Sequence, residues 1–379
     1  MADIIISMEE TEIIDPERQK RAKQYAGIKR RLMVVELAVG GIYTLAWLFF
    51  GWSHALKSGL LDLTTNVWLL VPGFALVFGG IYFLLTLPLS YYSGFILPHR
   101  FEQSTQDLRA WIVDQLKGLL GGGLLGGLLL EIIYFILRTY PDNWWLWAAG
   151  ILLVFNVILA NLAPVILLPI FFKLEPLSEE RADLAERLMR LAEQAGTKVR
   201  GVFKIDLSRR TKAANAALTG LGNTRRILLG DTLLEAFSDD EIETVMAHEL
   251  GHHVHNDIPM GIAVESALTL VGLYIASLVL DWGVTFYGFE GPGDIAGLPL
   301  FGLVVGLYGL ITMPLGNAFS RWRERRADRY ALEKTEKGQA YASALARLAN
   351  QNLAEADPEP WVEILLYSHP ALSKRIEMA

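Results

Sequence analysis

Six stretches of the 379-residue chain are apolar for about the length that a membrane demands: residues 32–52, 67–92, 115–137, 145–172, 259–281 and 297–318. A helix needs roughly 20 mostly apolar residues to cross the hydrocarbon layer. There the backbone must satisfy its own polar groups, and runs of this length do so as helices. The expected fold is therefore mainly α: a polytopic membrane protein with about six transmembrane helices. The bulk figures agree, with 52% hydrophobic residues and a mean hydropathy of +0.32. A formal net charge of −7 offers nothing to nucleic acid. The absence of cysteine excludes disulfides, thiolate metal sites and thiol nucleophiles. The opening "MADIIISMEETEIIDPERQKRAKQYAGIKRR" is charged and lacks the basic-then-apolar order of a signal peptide.

Loop charges set the expected orientation. Lys20, Arg21, Lys23, Lys29, Arg30 and Arg31 precede the first span, Arg100 and Arg109 follow the second, and "SRWRERRADR" follows the sixth. The loop "DWGVTFYGFEGPGDIAG" has no basic residue, and the loops at 53–66 and 138–144 carry one each, Lys57 and Arg138. Both termini and the long segment after the fourth span are thus expected in the cytoplasm. The division that follows is a cytoplasmic N-terminal segment (1–31), a four-span membrane domain (32–172), a first cytoplasmic piece (173–258), a transmembrane hairpin (259–318) and a second cytoplasmic piece (319–379). In the third span Gly118, Gly122 and Gly126 recur at spacing four, as do Gly123 and Gly127, a pattern that lets helices approach closely in lipid.

The first cytoplasmic piece begins with an amphipathic helix, "LSEERADLAERLMRLAEQAG", closed by Gly196. Strand-like "KVRGVFKID", "AANAALTG" and "RRILLGD" follow, which predicts a small sheet beside helices. Ser238, with Glu241 three residues later, predicts a capped helix over about 239–256. That helix carries "MAHELGHHVHNDIP", with four of the chain's seven histidines.

His248 and His252 are four apart and share a face, with Glu249 between them. His-Glu-x-x-His on a helix is the zinc-protease signature: two neutral imidazoles suit Zn²⁺ and the glutamate can act as base on a water there. The alternative is a structural cluster. His253 points about 140° away from His248, and His255 lies about 10 Å further along the axis. A His252/His255 pair is the geometric alternative for a metal. A third ligand must return to the membrane face where this helix ends. Span six delivers "NAFSRWRERRADRYALEKTEKG", in which Glu324 and Asp328 are four apart on one face. Glu324 could complete a metal site and Asp328 could orient a ligand histidine. Equally, both acids could pair with the surrounding arginines.

"HELGHHVHND", then two spans, then "SRWRERRADRYA", resembles the integral-membrane zinc metallopeptidases, the family of the type I CAAX prenyl proteases and the bacterial HtpX heat-shock proteases. The resemblance implies one Zn²⁺ per chain held by His248, His252 and Glu324, with Glu249 as catalytic base and Asp328 as the motif's aspartate. It also implies that the two cytoplasmic pieces form one split α+β, zincin-like catalytic domain. "ANAALTGLGNTRRILLGDTLL" is similar to the family's segment before the zinc helix, and implies that Asn215 and Ala216 lie on an edge strand that binds the substrate backbone. "SHPALSKRI" matches a His-Pro pattern with a later arginine, implying that His369 and Arg375 stabilise the oxyanion.

"DPERQKRAKQYAGIKRR" and "HRFEQSTQDLRAWIVDQLKG" look like the CAAX-type membrane region, which places the resemblance nearer that branch, with one span fewer. The implied activity is that of a zinc metalloendopeptidase cutting peptide bonds at the cytoplasmic membrane face. Its partners would be a peptide or protein substrate, lipidated or membrane-associated, and the bilayer itself. An HtpX-like quality-control protease is one alternative. A metal transporter is another, although it would place its ligands in mid-membrane and no span here holds a histidine. The acids Glu36, Glu131 and Glu265 do fall within spans and either line a chamber or pair inside the bundle.

Overall fold

The computed structural model describes residues 14–220 and 222–379. The first thirteen residues of the expected N-terminal segment lie outside the described residues. Helix α1 (Pro16–Phe49) starts where the Asp15 side chain accepts the amides of Glu17 and Arg18, with proline at the first helical position. The apolar span was expected from residue 32, but the helix begins a full charged segment earlier. At 34 residues it is about 50 Å long, more than a bilayer requires. Its charged half is held by the far end of the chain. Arg18 donates to the Asn350 carbonyl at 3.1 Å, and Arg30 pairs with Glu355 at 2.7 Å.

Next come α2 (Trp52–Leu61) and α3 (Val67–Tyr91), which continues through a π segment (Tyr92–Ile96) into α4 (Leu97–Arg100). Helix α5 (Leu108–Thr139) is capped by Asp107. Helix α6 (Trp144–Leu162) leads through a second π segment (Ala163–Leu167) into α7 (Leu168–Phe171). Five helices in the described chain are long and apolar enough to cross a membrane. The fourth expected span is a helix pair bent by 51°, which makes six spans if the pair counts as one broken span. Proline explains the bend: Pro164 and Pro169 bring no amide N–H to the backbone ladder there.

The spans meet in a core of Phe74, Ile133, Tyr134, Leu137, Trp144, Leu273, Ala276 and Leu280. Their outer faces remain apolar and open, with Leu76 76% and Leu124 75% exposed, surface that is stable against lipid rather than water. The glycines of α5 do not mediate close helix packing. A Cβ at Gly118, Gly122, Gly123, Gly126 or Gly127 would meet nothing within 4 Å.

The remaining elements build a compact unit from both extramembrane pieces. Strand β1 (Leu174–Pro176), α8 (Ala182–Gln194), β2 (Val202–Ile205), β3 (Ala216–Thr219), β4 (Arg226–Gly230), α9 (Asp231–Ala236) and α10 (Asp239–Val254) precede the hairpin α11 (Asp257–Tyr287) and α12 (Leu298–Thr335). Helices α13 (Gly338–Gln351), α14 (Pro360–Leu366) and α15 (Leu372–Met378) follow it. The sheet order is β1-β2-β4-β3, with β2 parallel to β4 and the other pairs antiparallel. One core joins the two pieces: Leu184, Leu188, Ile227, Leu229, Ile242 and Met246 from the first pack with Ala331, Tyr341 and Ala344 from the second. Helix α12 is continuous from the membrane into this unit. The span and the segment bearing Glu324 and Asp328 therefore belong to one unbroken helix, despite Pro314 within it.

Candidate active site

Helix α10 owes its start to a complete capping box. Ser238 Oγ accepts the Glu241 amide at 3.3 Å, and Glu241 Oε2 accepts the Ser238 amide at 2.7 Å. Asp239 and Asp240 in the first turn suit the positive helix end. Glu241 Oε1 is also held by Ser343 and Arg347 of α13, so the start of the helix is anchored to its neighbour. The other end packs on α12 without side chains between the backbones: a Cβ on Gly251 would lie 2.9 Å from Ala327 Cα.

This close crossing brings three predicted residues together. His248, His252 and Glu324 each offer one donor atom, all within 4.8 Å of one another. Glu324 Oε2 lies 3.3 Å from His248 Nε2, and Glu324 Oε1 lies 3.4 Å from His252 Nε2. Each histidine turns its other nitrogen to a buried carboxylate. His248 Nδ1 is 2.8 Å from Asp328 Oδ1, and His252 Nδ1 is 2.8 Å from Asp257 Oδ2. A carboxylate on Nδ1 fixes the tautomer that presents the Nε2 lone pair.

The residues fit a metal ion on a further observation. Glu324 Oε2 is buried with His248 Nε2 beside it at 3.3 Å but no hydrogen bond of good geometry among the described residues, a costly arrangement unless something else satisfies it. The two imidazole Nε2 atoms and the Glu324 carboxylate, one oxygen beside each ring, form a donor set of the kind that holds a divalent cation.

Glu249 lies one position after His248 and lines a cleft with His252, Glu324, Asp257, Arg323 and Leu218. Burial raises its carboxyl above the ordinary range. Burial alone would lower His248, but the adjacent Asp328 and Glu324 carboxylates carry it up to about 9. His252 is also raised: burial opposes protonation, but the Glu324 carboxylate outweighs it.

Asp328 is fully buried and serves three partners. Arg375 holds it with two bonds, Nε to Oδ2 at 3.0 Å and NH2 to Oδ1 at 2.6 Å. Tyr341 donates to its Oδ1 at 2.5 Å. Arg375 is thus engaged with Asp328 and Tyr341. His369 Nε2, in contrast, sits 3.4 Å from Glu324 Oε1 with a side chain 59% exposed. His369, Arg375 and Asn215 line a second cavity on the other side of the site.

Strand β3 is an edge of the sheet. The Asn215 carbonyl accepts the Gly230 amide at 2.9 Å, so it faces β4. The alternation of an antiparallel ladder then turns the N–H and C=O of Ala216 and Leu218 to the open edge. The open edge joins the two cavities, with Asn215 lining one and Leu218 the other.

His253 borders the Glu249 cleft but lies outside the His248–His252–Glu324 cluster, and so does His255. His253 Nε2 lies 3.3 Å from Arg225, and His255 Nδ1 lies 2.9 Å from the Gly251 carbonyl. Two residues escaped the sequence reading. Asp257 looked like the entry to a span, and its only signal was an acid five residues past His252. Tyr341 carried no signal in the sequence.

Residues 178–379 match peptidase family M48, and residues 7–173 match the CAAX prenyl protease N-terminal region, described as five membrane helices. The chain is 30% identical over 362 residues to the uncharacterized metalloprotease YhfN of Bacillus subtilis (strain 168), spanning 94% of this chain and 84% of that protein. It is 31% identical over 312 residues to CAAX prenyl protease 1 of Saccharomyces cerevisiae, spanning 77% of this chain and 68% of that one. Its fold is similar to the crystal structure of S. mikatae Ste24p, with a TM-score of 0.84 and 26% identity over 96% of this chain and 89% of that chain. The chain belongs to peptidase family M48, in its CAAX-type branch, and is a membrane metalloendopeptidase.

Proposed function

We propose that the metal is zinc, one ion per chain, held by His248, His252 and Glu324. The observation that carries this reading is the pairing of each histidine's Nδ1 with a buried carboxylate while both Nε2 atoms converge on Glu324. When bound, zinc supplies the Lewis acidity that makes a water acidic near neutral pH. Glu249 takes the proton of the attacking water and returns it to the leaving amine. A carboxyl raised by burial suits both halves of that transfer. His369, exposed beside Glu324, donates to the developing oxyanion. Arg375 keeps Asp328, and through it His248, in place. The substrate backbone adds to the open edge of β3 at Ala216, next to Asn215 at the start of the strand.

The charge asymmetry of the loops supports a cytoplasmic position for the catalytic unit and both ends of the chain. Similarity to CAAX prenyl proteases supports a membrane-associated, lipidated peptide as substrate. The test is mass spectrometry of the products from one C-terminal peptide, farnesylated or unmodified. Glu249→Gln serves as control and should lose about 10²–10⁴-fold in rate while keeping its metal. Faster cutting of the farnesylated peptide is expected. Equal cutting rejects the lipid preference and favours unmodified membrane proteins as substrates, whereas full activity in Glu249→Gln rejects the mechanism.

A further inference from the structure

Asp257 is the first residue of a 31-residue apolar helix, yet its side chain does nothing for that helix. The N-cap position belongs to Asn256, which makes no side-chain cap bond. Asp257 is 2% exposed, and its Oδ2 is bonded to His252 Nδ1 at 2.8 Å. On an unbroken helix, residue 257 would point about 140° away from residue 252, and the two could not meet. The contact exists because Asn256 adopts φ 56°, ψ 38° and breaks the chain between α10 and α11. That left-handed residue is tolerated by asparagine and reverses the local direction, so that residue 257 returns to the His252 ring. The Asp257 carbonyl is in turn held by Arg323 NH1 at 3.2 Å, and Arg323 immediately precedes Glu324. Two metal-site residues, His252 and Glu324, are therefore joined through the root of the transmembrane hairpin.

We propose that Asp257 is the positioning residue for His252. It holds the Nδ1 proton, directs Nε2 toward the metal and ties that ligand to the point where α11 and α12 leave the membrane. This inference rests on His252 being a ligand. The test is metal affinity in the full-length protein in detergent, with Zn²⁺ competed against a chromophoric chelator and the visible spectrum of the Co²⁺ form recorded alongside. Asp257→Ala should weaken Zn²⁺ binding by about 10–100-fold and shift the Co²⁺ bands. Asp257→Asn, which keeps an acceptor for Nδ1–H, should fall between Asp257→Ala and the unaltered protein. Unchanged affinity and spectrum in Asp257→Ala overturn the proposal. Should that variant fail to fold, an Asp257→Asn protein with unaltered affinity and spectrum overturns it equally. His252→Ala separates the two levels: if it binds Zn²⁺ as tightly as the unaltered protein, the ligand assignment itself has failed, whatever Asp257 does.

Discussion

Asp328 Oδ1 lies 2.8 Å from His248 Nδ1, although two membrane spans separate the two residues in the chain. The pair forms because α12 carries the end of a span into the catalytic unit and crosses α10 at Gly251. Asp328 also receives the Arg375 fork and the Tyr341 hydroxyl, so one fully buried carboxylate orders His248, an arginine and a tyrosine together. Removing it leaves the buried Arg375 without its ion-pair partner and the buried His248 without the carboxylate on Nδ1. Breaking such a pair from one side costs about 3–5 kcal/mol. Asp328→Ala should therefore lower the thermal unfolding midpoint sharply and lose metal. Asp328→Asn, which still accepts from Tyr341, should lose less. Equal midpoints for Asp328→Ala and the unaltered protein would refute this account.

The protonation of His248 sets opposite pH trends for the metal-free and metal-bound protein. Its folded value of about 9 exceeds the ordinary 6.5. A raised value contributes stability that is fully present below the unfolded value and is lost as pH rises through the folded one. Metal-free protein should accordingly lose stability between pH 6.5 and about 9. A metal needs the neutral imidazole, so its affinity should rise over the same window and binding at pH 7 should release protons. Indicator-dye measurement of proton release on adding Zn²⁺ checks this. No release, with flat affinity across the window, would sink it.

Gly251 tests whether the α10–α12 crossing sets the site. An added Cβ would stand 2.9 Å from Ala327 Cα and 3.2 Å from its carbonyl oxygen, backbone atoms that cannot rotate aside. Gly251→Ala should cost about 1–3 kcal/mol as overpacking. By pushing α12 away it should also weaken metal binding, although residue 251 carries no donor. Calorimetric unfolding and chelator competition would show both effects. A variant that kept both values unchanged would mean the two helices do not depend on this contact.

The histidines and Glu249 were legible in the sequence because positions four apart on a helix are neighbours whatever the tertiary fold. Glu324 and Asp328 were legible only as an option. Their meeting with His248 depends on α12 running unbroken out of the membrane, which periodicity alone does not decide. Asp257 was hidden by Asn256: a single left-handed residue made a contact that helical spacing forbids. Tyr341 reaches Asp328 through packing between α13 and α12, with no pattern to announce it. The charged residues before the first span were legible as a cytoplasmic segment but not as part of the first helix. They are helical because partners near the other end of the chain, Asn350 and Glu355, hold them. The glycine spacing of α5 left open close packing or a plain lipid-facing surface, and within this chain the second holds for a related reason. A close-packing motif needs a partner helix, and none lies against that face among the described residues.

The open edge of β3 gives the last prediction. Ala216 pairs with Leu229 in register, and the Asn215 carbonyl already faces β4, so the Ala216 amide points to the free side. If substrate adds there as a strand, that amide donates to its backbone. Proline is tolerated on an edge strand whose N–H faces outward and removes only this donor. Ala216→Pro should leave the unfolding midpoint and metal affinity close to those of the unaltered protein while raising KM for a peptide substrate about 5–10-fold, the weight of one hydrogen bond. The neighbouring Ala217→Pro, whose amide faces β4, should instead destabilise the sheet. Unchanged KM in a folded Ala216→Pro protein would remove β3 from the substrate path.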